Sequence, residues 1–81
     1  MSAKEKLIER FKGCPKDFTW DELVRLLKGL GYEEKKGSGS RRKFSGDGLP
    51  SISLHEPHPG SIVKQYALRE VRDTLENEGL I

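Results

Sequence analysis

Two short stretches hold the residues whose types and spacing could do chemistry. Lys35-Lys36-Gly37-Ser38-Gly39-Ser40-Arg41-Arg42-Lys43-Phe44 sets five cations around a small, flexible backbone and ends on an aromatic ring. His55-Glu56-Pro57-His58-Pro59-Gly60 carries both histidines of the chain in a proline-rich frame. Guanidinium and ammonium groups beside exposed amides suit phosphate oxygens. Imidazole ordinarily titrates near neutral pH, which suits it to moving protons in phosphodiester chemistry. Together the two stretches suggest RNA as a target, with cleavage within reach of the residues present.

Other reactive groups offer less. Glu33 and Glu34 are adjacent, so a strand would point them opposite ways. Cys14 beside Pro15 lacks a partner for nucleophilic catalysis, and no His/Cys cluster has metal-ligand spacing, so no metal or cofactor is expected. Gly37-Ser38-Gly39-Ser40 lacks the lysine and helix of a P-loop and reads as a flexible turn able to approach an RNA backbone closely. The plain alternative for the cations is a solvated hairpin that serves solubility. For the histidines it is a surface position on a strand and a loop position capping a helix.

The elements that must position these groups are legible from periodicity. Residues 3 to 12 place Leu7, Ile8 and Phe11 at helical spacing, and Gly13 and Pro15 stop the helix. Thr19-Trp20-Asp21-Glu22 has the form of a capping box and opens a helix striped by Trp20, Leu23, Val24, Leu27 and Leu30. Gly31 suits a left-handed cap. Strands are expected over Tyr32 to Lys36, Arg41 to Phe44 and Pro50 to His55, with a turn at Gly46-Asp47-Gly48. The last strand puts Ile52 and Leu54 on the core side and His55 on the other. If Phe44 points inward, Arg42 goes with it or lies at an edge, while Arg41 and Lys43 face outward with His55. A final helix is expected over Ile62 to Asn77, with Leu68, Val71 and Leu75 inward and a Schellman stop at Gly79 and Leu80. The economical arrangement is α+β: a three-stranded antiparallel sheet, two main helices on one face, the other face open.

Composition sets the bounds. Eighty-one residues make one small domain with a thin core. The net charge of +2 is too small to indicate nucleic acid by itself, but residues 35 to 43 hold five cations and no acid. A single cysteine excludes an internal disulfide and fits a reducing compartment. No apolar run is long enough for a signal or membrane segment, so the chain is expected in the cytoplasm, with no membrane partner.

The ordered set of motifs resembles a known family. A capped helix Trp20-Asp21-Glu22-Leu23-Val24-Arg25-Leu26-Leu27 is followed by Gly31-Tyr32, then by a Gly-Ser element opening a basic strand. His58-Pro59-Gly60 comes next, and a last helix running into Glu78-Gly79-Leu80-Ile81. Over about residues 19 to 81 this is similar to HicA toxins. The resemblance implies a double-stranded-RNA-binding-domain-like fold, with residues 1–18 as an N-terminal helical extension of a 19–81 core. It also implies an mRNA-cleaving toxin neutralised by a HicB-like antitoxin. One departure stands out. Members carry Gly-Ser-His at the start of the second strand, the histidine being regarded as catalytic, whereas this chain has Gly39-Ser40-Arg41. The expectation is therefore metal-independent RNA cleavage with His58, or in second place His55, as acid and base. Arg41 would act as phosphate clamp, with Ser40, Lys43, Lys36 and Lys64 completing the RNA-binding set. Two alternatives stay open: a non-catalytic RNA-binding module, and a protein-interaction domain whose basic face receives an acidic partner.

Overall fold

Thr19 opens the second helix with an extended backbone, φ −89° and ψ 159°. Its hydroxyl accepts from the Glu22 amide at 3.2 Å, and the Glu22 carboxylate accepts from the Thr19 amide at 3.0 Å. This reciprocal cap satisfies two otherwise orphaned donors and starts α2, Trp20–Gly29. In the computed structural model, which describes residues 3–58 and 60–81, α2 follows a first helix α1, Ala3–Lys12. Gly31 turns the chain at φ +105°, a region open to glycine at little cost. Three strands come next: β1, Glu33–Lys36; β2, Arg41–Ser45; β3, Ile52–His55. They form an antiparallel sheet in the order β1-β2-β3. The last helix, α3, spans Gln65–Asn77.

Sheet register decides which side chains face the helices. Glu34, Phe44 and Ile52 are aligned across the strands, as are Lys36, Arg42 and Leu54. Phe44, Ile52 and Leu54 are buried, so this is the packed face. The Phe44 ring lies 5.9 Å from that of Trp20. Leu23 and Leu27 of α2 and Leu68, Val71 and Leu75 of α3 close the core. Each such side chain contributes about 1.5–3 kcal/mol on burial. The expected α+β, double-stranded-RNA-binding-domain-like architecture is the one observed.

The first helix shares this core. Phe11 is fully buried, 5.7 Å ring to ring from the equally buried Phe18. Arg10 lies over the Phe18 ring at 5.2 Å and bonds Asp17 and Glu22.

Three element starts differ from the sequence reading, and the second strand runs one residue further, to Ser45. The final helix starts at Gln65, not Ile62, because residues 61–63 are drawn out against residues 18–20. Thr19 and Ile62 form an isolated bridge, Trp20 N donates to Ser61 O at 2.7 Å, and Val63 N donates to Phe18 O at 2.9 Å. Burial of Val63 holds that geometry against helix propensity. The first strand starts after Tyr32, whose buried hydroxyl instead donates to Pro50 O at 2.8 Å. The third strand starts at Ile52, two residues after Pro50. The Schellman stop forms as expected, with Gly79 N on Glu76 O and Leu80 N on Leu75 O. Pro59 lies outside the described residues.

Candidate functional site

The unpacked face of the sheet is built by the same register. Arg41 pairs with His55, and Lys43 stands between Lys35 and Ser53. All five are exposed. Among the described residues no ion pair engages Lys35, Arg41 or Lys43, whereas Arg10, Arg42 and Arg72 are tied to carboxylates. Three cations outside any ion pair thus stand on the open face and make it locally basic, with Glu33, aligned with Ser45, as the acid at its far end.

The Arg41–His55 pairing is a close one. Glu56 N donates to Ser40 O at 2.8 Å, which makes residues 40 and 56 a hydrogen-bonded pair. Alternation along an antiparallel ladder then makes 41 and 55 a non-hydrogen-bonded pair, the kind with Cα atoms about 4.5 Å apart and side chains closest. Ser40 adds a contact to the imidazole: its hydroxyl lies 3.3 Å from His55 Nδ1. The tight turn before β2 sets up this contact. Gly37 N donates to Arg41 O and Arg41 N to Ser38 O, with Gly39 at φ +59°.

Arg42 has a different task. Its side chain is only 14% exposed and turns to the packed side. Its guanidinium donates to the carbonyls of Gly39 and Arg41, both at 2.9 Å. Its Nε sits 3.3 Å from the Glu56 carboxylate, a charge contact whose alignment is too poor for a hydrogen bond. Arg42 thus ties the turn to the end of β3.

Beside the edge strand β3 the open face runs into a cleft of about 390 Å³ between the β3–α3 loop and the start of α3. His55, His58, Glu56, Ile62, Lys64 and Tyr66 line it. Lys64 occupies the N-cap position of α3 but makes no capping bond with its side chain. The structure therefore brings His55, His58 and Lys64 together at the cleft, and Ser40, Arg41 and Lys43 beside them on the sheet. Lys36 falls on the other side of the sheet, in line with Arg42 and Leu54, and its place on the open face belongs to Lys35. Sequence reasoning passed over Lys35 because a one-residue choice of register decides between the two. It also passed over Tyr66, although an aromatic about 200° round the helix from Leu68 departs from the buried stripe. Among the described residues no group of three or more His, Cys, Asp or Glu converges as a metal site. Among the same residues no helix is long and apolar enough to cross a membrane.

A small α+β domain with one packed face and one open basic face belongs to the double-stranded-RNA-binding-domain-like class. The family model for the HicA toxin of bacterial toxin–antitoxin systems matches residues 20–79, so the chain belongs to the HicA family and is a toxin of such a system. No curated protein and no solved structure matches it.

Proposed function

We propose that the chain is an mRNA endonuclease, independent of metal, that a HicB-like antitoxin neutralises. The observation that carries this reading is the cross-strand pair Arg41–His55. The resemblance expects an imidazole at position 41. An imidazole stands directly across the strand from that position, on the same face, with Ser40 at its Nδ1. The catalytic group would thus come from the neighbouring strand, and the guanidinium would take the phosphate.

The chemistry follows from these residues. One imidazole, His55 or His58, takes the proton of a ribose 2′-hydroxyl, and the freed oxygen attacks the adjacent phosphorus. The bond from phosphorus to the 5′-oxygen breaks, and that oxygen takes a proton from the other imidazole in its cationic form. The products are a 2′,3′-cyclic phosphate and a 5′-hydroxyl. Arg41, with Lys43 and Lys35, offsets the charge that builds on the phosphoryl oxygens. Arginine stays protonated at any working pH and cannot serve as the base.

Arg41 itself favours a second reading, a module that binds RNA without cutting it. Expression of the chain alone, with growth and transcript integrity followed, separates the two. Cleavage that leaves cyclic-phosphate ends, persists in chelator, and disappears in the double variant His55→Ala with His58→Ala supports the endonuclease. Retained cleavage in that variant overturns the histidine assignment, and RNA binding without any cleavage supports the module. Co-expression with a HicB-like protein, which should restore growth, tests the antitoxin.

A further inference from the structure

The cleft beside β3 has a chemical character unlike that of the sheet face. Among the described residues two large apolar side chains are left exposed, Ile62 at 46% and Tyr66 at 61%, and both line this cleft. Every other large apolar side chain of α3 is buried. Folding therefore does not explain Tyr66. Its ring stands open beside His58, Lys64 and the apolar Ile62.

We infer that this cleft receives one unpaired nucleoside of a single-stranded RNA, with its base stacked on Tyr66; the inference rests on the RNA reading above. A volume of about 390 Å³ suits a single small ligand and is far too small for a duplex. A base inside a duplex has no free ring face to offer, whereas unstacked bases of single strands are commonly held on aromatic side chains. The charges agree. The lining of the cleft is mixed, with Lys64 beside Glu70 and a Glu56 already tied to Arg42, whereas the face outside carries Lys35, Arg41 and Lys43, which attract the backbone there. The strand would then run over the basic face with one base turned into the cleft. That pose brings the ribose to the two histidines. The fold is shaped like a duplex binder, yet this site takes a single strand.

The test is a binding titration with a fluorescent 2′-O-methyl oligonucleotide, which cannot be cut by its own 2′-oxygen, used single-stranded and annealed to its complement. The single strand should bind more tightly than the duplex. Tyr66→Ala should weaken the single strand by about tenfold or more, as loss of one stacked base does. Tyr66→Phe and Tyr66→Trp should retain binding, and duplex affinity should not change. Because Tyr66 is exposed, its variants should melt like the parent. Equal binding of single strand and duplex, or a Tyr66→Ala variant that loses nothing, overturns this inference and leaves the RNA reading in place. Failure of the parent chain to bind either form overturns both. If Tyr66→Ala keeps its RNA affinity but no longer binds a HicB-like protein that the parent binds, the cleft docks a protein and the inference is wrong.

Discussion

The guanidinium of Arg10 on α1 reaches the carboxylate of Glu22, the same group that closes the capping box of α2. Its other arm holds Asp17 at 2.9 Å. One carboxylate therefore serves both the start of one helix and the attachment of another. Burial alone would raise the Glu22 pKa, but hydrogen bonds from Arg10 and Thr19 outweigh it and bring the group below its usual value.

The sign of the pH dependence follows. A carboxyl lowered in the folded state adds stability above the ordinary glutamate value, and that stability disappears as pH falls through the lowered one. Glu22→Gln should lower stability near neutral pH and flatten the acid limb of the stability curve. Urea unfolding at a series of pH values measures this. Parallel acid limbs for variant and parent would refute it.

Phe11 tests whether α1 is part of the cooperative fold. Phe11→Ala removes a fully buried ring and should cost about 3–5 kcal/mol. Against a total of about 5–15 kcal/mol, that is a large share for a domain this small. Thermal melting would show it as a single, strongly lowered transition. A melt unchanged from the parent would mean that α1 contributes nothing.

Neighbouring arginines should separate stability from binding. Arg42→Ala removes two charge-assisted bonds to the turn and should cost about 1.5–3 kcal/mol. Arg41→Ala should leave stability within about 0.5 kcal/mol while weakening RNA and lowering the salt slope by about one. Melting and salt-dependent binding, measured on both variants, decide the matter; the reverse pattern would sink the division of labour.

Ser40 offers a milder probe of the same face. Ser40→Ala removes the contact to His55 Nδ1 and should slow RNA cleavage a few-fold, with the melt unchanged. His55→Ala should reduce cleavage far more. A Ser40→Ala rate equal to that of the parent would show that the hydroxyl does not position the imidazole.

Local signals carried much of this structure into the sequence. The capping box, the left-handed Gly31 and the Schellman stop at Gly79 depend on nearby residues and were readable. Alternation placed Leu54 inward and His55 outward for the same reason. What escaped depends on partners distant in the chain. Ile62 and Val63 look helical until Phe18 and Thr19 pair with them, and Tyr32 looks like a strand residue until Pro50 accepts its hydroxyl. The choice of Lys35 over Lys36, and the cleft that Tyr66 and His58 both line, need the register and the packing together.

The stitch between residues 18–20 and 61–63 bears on how the protein should be cut. The family match begins at Trp20, so a segment trimmed to that match would start in the middle of the stitch. It would lose the Thr19 cap, the Phe18 carbonyl that receives Val63, and the Phe11 and Phe18 rings that wall the core. Of the backbone contacts that hold residues 61–63, just after the loop carrying His58, only the bond from Trp20 N to Ser61 O would remain. The family match and the packed core thus differ by a helix, because Phe11 of α1 lies inside that core.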